Sequence, residues 1–332
     1  MNFLILTEGG KEFGLGHVIR CTSFYDALIL KNHNVKFLIQ GDDSVINVLE
    51  DRKYKIKKWH NNIRFLKDDF ELYDGVILDS TIITQEEVLI LCKSNFQLLS
   101  IDDYKRFKYE NAIVLDWTVN IEKSILHKHN IKDNTLLLGL EYLVLRSEFY
   151  EFQSKLKNFN KIFILLGGSD IRNLTIPIVN NIRKNFSEIN IVVATSPSVS
   201  NEKKIFNLTD NKTTVYSSIN SEELCKIIVD CDMAISGGGQ SLYELTALKI
   251  PTLAIEVIEN QKEDTIGWKK KGLVTKVIKW NDKKIQQKIN AEIIRLKPII
   301  MRSKIRQKKS KYSSNKTVFN ILDILIKEIN KK

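Results

Sequence analysis

His17 stands in Gly14-Leu15-Gly16-His17-Val18-Ile19-Arg20, where the apolar run Phe3-Leu4-Ile5-Leu6-Thr7 has given way to a helical pattern. Near the positive end of a helix a neutral imidazole is available to take a proton near pH 7, so His17 is the candidate general base. The plainer role for the same residue is to cap the helix or bond a nearby carbonyl. Gly14 and Gly16 lack a Cβ and let the backbone approach a ligand, and the free N–H groups of a helix start favour an anion. A dinucleotide fingerprint would need a third glycine where Ile19 stands, which argues against a nicotinamide cofactor.

A second cluster, Gly237-Gly238-Gly239-Gln240-Ser241-Leu242-Tyr243-Glu244, repeats the logic. Cys231 to Ser236 reads as a short strand, the three glycines as a turn, and Ser241 to Leu248 as a helix stopped at Lys249-Ile250-Pro251. Backbone amides in such a turn can cradle a diphosphate. Glu244, one turn into the helix, can accept hydrogen bonds from both hydroxyls of a ribose, or can simply complement the helix dipole. Two half-sites so far apart in sequence suggest two domains closing on one ligand.

The elements that must position these residues alternate between strand and helix. Strands are predicted at 3–7, 35–40, 75–79, 97–101 and 112–115, then at 161–166, 190–195, 213–216, 232–236, 251–256 and 273–277, with helices such as 17–31 and 84–94 between them. Unbroken apolar strands separated by helices imply parallel sheets with ligand sites at the carboxyl ends of the strands. The polar stretch from Ser154 to Asn160 marks a boundary. It gives an N-terminal Rossmann-like domain at 1–155 with the histidine loop, and a C-terminal one at 156–332 with basic terminal helices, the last of which is expected to cross back to the first domain.

Composition fits a two-domain enzyme: 332 residues with 43% hydrophobic content are enough for two cores. No apolar run approaches the roughly 18 residues that a membrane span needs, and no basic leader precedes the first strand, so membrane insertion is not expected and a cytoplasmic location is. Cys21, Cys92, Cys225 and Cys231 are scattered without a Cys-x-x-Cys pair and read as buried thiols. His33, His60, His127 and His129 lie in polar surroundings and read as surface residues. The net charge of +11 is uneven: residues 269–332 carry 20 Lys and Arg against 4 Asp and Glu, a net of +16 that leaves −5 for the rest. Such a tail can attract nucleic acid or an anionic surface, but it lacks interleaved aromatics, and runs such as Arg302 to Lys311 read as a solvated helical face. No nucleic-acid partner is expected.

Five motifs in fixed order carry a resemblance: Gly14 to Cys21, Gly139 to Phe149, Leu166 to Asn173, Gly237 to Glu244 and Glu259-Asn260-Gln261. Together they resemble the UDP-sugar hydrolases of pseudaminic acid biosynthesis, which act on UDP-2,4-diacetamido-2,4,6-trideoxy-beta-L-altropyranose. The resemblance runs over about residues 1–275. It implies an α/β chain of the glycosyltransferase-B fold, two Rossmann-like domains with parallel sheets facing a central cleft, and a UDP-linked sugar as small-molecule substrate. It further implies that His17 activates water for inverting attack at the anomeric carbon with UDP as leaving group. Gly14, Gly16, Arg20, Asp79, Thr81, Tyr142, Arg146 and Gly168 would face the sugar. Gly237, Gly238, Gly239, Gln240, Ser241, Leu242, Glu244, Asn260 and Gln261 would hold UDP, and neither a metal nor another cofactor is implied. One departure stands out: where the family has a tyrosine two residues after the aspartate, this chain has Thr81, which keeps a hydroxyl and loses the ring. The same machinery would serve an inverting transferase if an acceptor hydroxyl replaced water, or a non-catalytic sugar-nucleotide-binding protein if His17 were dispensable.

Overall fold

The computed structural model describes residues 1–66, 70, 72–103, 106–119, 121, 133–167, 170–196, 199 and 201–332. The chain divides into two compact units, one of Met1–Arg146 with Asn315–Lys332 and one of Ser147–Ser314.

The first unit is built on seven parallel strands, β1 (Asn2–Gly9), β2 (Asn34–Gly41), β3 (Tyr54–Ile56), β4 (Gly75–Asp79), β5 (Gln97–Ile101), β6 (Ala112–Asp116) and β7 (Thr135–Leu138), in the order β3-β2-β1-β4-β5-β6-β7. The inner strands β4, β5 and β6 are buried along their whole length, as their unbroken apolar runs require. Helix α1 (Gly16–Leu30) follows β1, and α2 (Gln85–Cys92) starts at a capping box between Thr84 and Glu87. The sheet grows from β1 toward β2 on one side and from β4 toward β5 on the other. The topological switch point, where open α/β sheets bind ligands, therefore lies between the carboxyl ends of β1 and β4.

The second unit carries six parallel strands, β8 (Lys161–Leu165), β9 (Asn190–Thr195), β10 (Thr213–Ser217), β11 (Met233–Gly237), β12 (Thr252–Glu256) and β13 (Lys276–Lys279), in the order β10-β9-β8-β11-β12-β13. Its helices of seven residues or more are α3 (Thr175–Asn185), α4 (Ser221–Val229), α5 (Ser241–Ala247), α6 (Lys262–Lys270), α7 (Ile285–Leu296) and α8 (Ile299–Lys309). Here the switch point falls between β8 and β11. The final helix, α9 (Lys316–Ile329), belongs to the first unit: it buries Val318, Ile321, Leu322 and Leu325, and Asp323 pairs with Lys31, just past the end of α1, at 2.6 Å.

Three elements depart from the expected pattern. β3 and β7 are short edge strands, three and four residues long; β3 (Tyr-Lys-Ile) gives no apolar run to read, whereas the leucines of β7 were passed over in the sequence. β13 starts at Lys276 instead of 273, because the chain first closes helix α6: Gly272 takes a positive φ of 67°, and the Leu273 N–H bonds the Trp268 carbonyl at 3.1 Å. The basic segment is also less solvated than expected. Arg302 is buried against Asp232 at 2.9 Å, and Lys309 is wholly buried, donating to the carbonyls of Ile250 (2.5 Å) and Leu245 (3.3 Å). All four cysteines are free and buried. Among the described residues no helix is long and apolar enough to cross a membrane.

Candidate functional site

The loop after β1 is closed on itself by paired backbone bonds between Gly10 and Gly14, at 2.8 and 2.7 Å, with Gly14 at φ +74°. A side chain at that φ would be strained. The loop delivers Gly16 and His17 to the first turn of α1, where no side chain caps the helix and no acid lies in the first turn. The N-terminal N–H groups of a helix without such a cap are the ones that seek an outside partner.

His17, Arg20 and Cys21 follow one another at helical spacing and meet one group, the carboxylate of Asp79 at the carboxyl end of β4. Asp79 is completely buried. Its Oδ1 lies 2.8 Å from His17 Nδ1, Arg20 gives it Nε and Nη2 at 2.5 Å each, and the Cys21 thiol approaches at 3.5 Å. A carboxylate can only accept, so Nδ1 of His17 carries the proton and a neutral ring keeps its lone pair on Nε2. Arg20 also donates to Asp103 at 2.7 Å and lies over the Trp117 ring.

Burial works to lower the His17 pKa, but the hydrogen bond and charge of Asp79 outweigh it and hold the imidazole above its ordinary value. This modifies the expectation of a ring kept neutral by the helix dipole: the nearer, buried charge dominates. Burial alone would raise Asp79, yet Arg20 and His17 keep its carboxyl well below the usual carboxylate range. The Arg20 guanidinium moves the other way, well above its ordinary value, with Asp79 and Asp103 overcoming its burial.

Thr81 spends its polar groups within the protein. Its hydroxyl donates to Glu8 Oε1 at 2.7 Å, and its N–H donates to the same oxygen. Arg106 holds the carbonyls of Thr81, at 2.9 Å, and of Ser80 from the other side. Glu8, Asp103 and Arg106 were not singled out by sequence pattern. The available clue was position, since Glu8 ends a buried strand at the switch point. Tyr142 lies in the single 3-10 turn Leu140–Tyr142 after β7, and Arg146 is half-buried at the end of the unit's main segment, tied to α1 through Ser23 and the Leu145 carbonyl at 2.9 Å.

In the second unit Gly237 and Gly238 are buried at the end of β11, and Gly239 leads into α5. A methyl group at Gly238 would stand 2.8 Å from Thr265 Cγ2 and 3.0 Å from Gln261 Oε1, so the close approach of the loops requires glycine there. Gln261 braces the turn and accepts from the Val257 N–H at 3.1 Å. Ser241 bonds the Ser236 hydroxyl at 2.9 Å, Gln240 is exposed, Glu244 is half-buried, and the Leu242 side chain lies in the core, so only its backbone can face a ligand. Asn260 belongs to the 3-10 turn Glu259–Gln261, but its side chain, like Gly168, lies outside the described residues. His127 and His129 lie outside them too. His60 is tied to Glu87 at 3.0 Å. Among the described residues no group of three or more His, Cys, Asp or Glu is placed to hold a metal ion.

No protein-family model matches the chain. It is 29% identical over 281 residues to an uncharacterized protein of Methanocaldococcus jannaschii, covering 79% of this chain and 57% of that one. It is 28% identical to a Helicobacter pylori protein named pseudaminic acid cytidylyltransferase and UDP-2,4-diacetamido-2,4,6-trideoxy-beta-L-altropyranose hydrolase, over 77% of this chain and 44% of the relative. The alignment therefore spans about half the length of these two relatives. With the Campylobacter jejuni UDP-2,4-diacetamido-2,4,6-trideoxy-beta-L-altropyranose hydrolase it shares 25% identity over 82% of this chain and 97% of that one. Among solved structures it is similar to UDP-GlcNAc 2-epimerase from Neisseria meningitidis, with a TM-score of 0.69 at 14% identity over 98% of this chain and all of that one. MurG of Acinetobacter baumannii gives 0.67 at 11% identity, again over 98% of this chain and all of that one. The two parallel sheets and these likenesses give the chain the glycosyltransferase-B fold.

Proposed function

We propose that the chain hydrolyses a UDP-linked 2,4-diacetamido-2,4,6-trideoxyhexose to UDP and the free sugar with inversion, a step in the making of a pseudaminic-type nonulosonic acid. The coarser part of the reading, an enzyme that processes a UDP-sugar, is supported by the names of the Helicobacter and Campylobacter relatives. The observation that carries hydrolysis is the pairing of His17 with the buried Asp79 beside an uncapped helix start.

In this reading Nε2 of neutral His17 takes a proton from water as the water oxygen bonds to the anomeric carbon. The bond from that carbon to the diphosphate oxygen breaks and UDP leaves with the electron pair. Asp79 fixes the tautomer and stabilises the imidazolium that forms, while Arg20 keeps Asp79 ionised. The amides of Gly237 to Gly239 take up charge on the departing diphosphate, and Glu244 accepts from the ribose hydroxyls. Gly14, Gly16, Tyr142, Arg146 and Gly168 are assigned to the sugar, and Gln240, Ser241, Asn260 and Gln261 to UDP. Thr81, bonded to Glu8, is assigned to holding the loop.

The test is UDP release, with proton NMR of the sugar product, from a panel of UDP-linked 2,4-diacetamido-2,4,6-trideoxyhexoses without any acceptor. Release with an inverted free sugar supports the reading. Tight UDP binding with no release until an acceptor is added overturns it in favour of an inverting transferase.

A further inference from the structure

Helix α8 lies across the amino ends of three strands of the second unit and is pinned there by its buried cations. Arg302 donates to Asp232, the residue before β11, at 2.9 Å. Lys309 donates to the Ile250 carbonyl at 2.5 Å and to the Thr252 hydroxyl at 3.2 Å, where β12 begins. Lys308 reaches Gly272, ahead of β13: a methyl group on that glycine would stand 2.8 Å from the ammonium. The helix therefore closes the edge of the sheet opposite the Gly237–Gly239 turn, which follows the carboxyl end of β11.

With Arg302 and Lys309 turned inward, helical spacing turns Ile300, Lys304 and Lys308 outward at successive fourth positions, and all three are exposed. The helix holds no acidic residue, and among the described residues neither Lys304 nor Lys308 has a carboxylate partner. Lys269, Lys270 and Lys271, all exposed, precede the glycine that Lys308 reaches and extend the basic face. Its other end is apolar. Ile294, in the last turn of α7, is 59% exposed, Ile299 47% and Ile300 61%, and the turn from Lys297 to Ile300 is exposed at four consecutive positions. Arg295 and Lys297 beside these isoleucines are already paired, with Glu292 at 2.5 Å and Glu188 at 3.1 Å, so the unpaired positive charge lies along α8.

Aliphatic side chains held in water at an exposed turn, next to unpaired lysines, complement a surface that is apolar within and anionic outside. We propose that the outer face of α8, with the isoleucine turn ahead of it, docks the protein on an anionic lipid bilayer, the isoleucines entering the headgroup region and the lysines meeting lipid phosphates. A nucleic acid would satisfy the lysines but leave the isoleucines in water, because its bases need aromatic rings to stack on. Docked by this face, the second unit keeps the carboxyl edge of its sheet, and the glycine turn with it, directed away from the lipid. The proposal does not depend on the UDP reading.

The experiment is co-sedimentation of the full chain with vesicles of phosphatidylcholine alone and of equal parts phosphatidylcholine and phosphatidylglycerol. The chain should sediment with the anionic vesicles only, and added salt should release it. Lys304→Gln with Lys308→Gln should weaken binding by roughly tenfold or more, at about fivefold per lysine. Ile299→Ser with Ile300→Ser should weaken it by about tenfold or more while the dependence on salt persists. Lys283→Gln with Lys284→Gln, the same loss of charge from two exposed lysines at the opposite end of α7, should leave binding unchanged. Absence of the chain from the anionic vesicle pellet would overturn the proposal, as would an equal loss in the Lys283 and Lys284 pair or no loss in the isoleucine pair. A dimer that forms in place of vesicle binding and is lost in the isoleucine pair would overturn it in favour of self-association, and duplex DNA bound more tightly than the vesicles would overturn it in favour of nucleic acid.

Discussion

Nδ1 of His17 lies 2.8 Å from Oδ1 of Asp79, a carboxylate with no exposed surface that also receives two N–H groups of Arg20. The residues are 62 positions apart. The contact forms because α1 starts beside the end of β1 and β4 is the strand paired with β1, with Thr7 opposite Asp79. An imidazole oriented by a buried carboxylate and left half-open on its other edge is the arrangement that a general base requires.

His17→Ala removes that base. UDP-sugar hydrolysis should fall by about 10²–10⁴-fold while UDP binding survives. UDP release and calorimetry on the same variant check both halves, and equal turnover would remove His17 from the mechanism.

Asp79→Asn should lower the His17 pKa, because Asp79 is what raises it. The base acts when neutral, so the rate rises with pH through this pKa, and the rising limb of the pH–rate profile should move to lower pH in the variant. Stability should change as well. The folded-state pKa of Asp79 is depressed, so its contribution is fully present above the ordinary carboxylate pKa of about 3.9 and is lost as pH falls through the lower folded value. At neutral pH the variant leaves Arg20 partly unpaired and should lose about 3–5 kcal/mol in denaturant unfolding, a deficit that shrinks toward strong acid.

Thr81→Val deletes the hydroxyl that donates to Glu8 Oε1. It should cost about 1–3 kcal/mol of stability, since the Glu8 Oε2 atom is already buried without a partner. KM for the UDP-sugar should stay close to that of the unmodified chain. A large rise in KM at unchanged stability would show instead that the hydroxyl serves the sugar.

Gly238→Ala places a methyl group against Thr265 and Gln261. Overpacking of this kind costs about 1–3 kcal/mol and displaces the turn. UDP affinity should fall at least tenfold, as titration calorimetry would show, with turnover at saturating substrate less affected.

Among the described residues Lys309 is buried without a carboxylate partner, and burial lowers its pKa to about 7. Between there and the unfolded value of about 10.4 the unfolded chain binds the extra proton, so stability should rise with pH across this window. Lys309→Met should flatten the rise, which urea unfolding at pH 7 and pH 9.5 would measure.

Much of the fold was legible because its strands are written as apolar runs. β4, β5 and β9 coincide with the predicted stretches, and both glycine clusters follow a strand and open a helix. What is local was readable: the helices predicted at 17–31 and 84–94 correspond to α1 (Gly16–Leu30) and α2 (Gln85–Cys92). β3 was not, since an edge strand needs no continuous apolar run when its neighbour supplies the pairing, and β7 was not predicted although Leu136 to Leu138 are apolar.

The partners of the chemistry were decided by tertiary structure. Nothing in the sequence near His17 states that Asp79 will bond it, that Arg20 will fill the rest of that carboxylate, or that Glu8 will claim the hydroxyl of Thr81. Those contacts depend on strand order: β4 pairs with β1 although β2 and β3 intervene in the chain. Likewise Arg172 and Trp280, more than a hundred positions apart, meet because β8 and β13 end at the same edge of one sheet. Sequence determined which residues carry reactive groups and which strand ends they follow. Parallel pairing determined which groups face each other, because it brings distant strand ends to one edge and the low dielectric there turns proximity into charge and proton control.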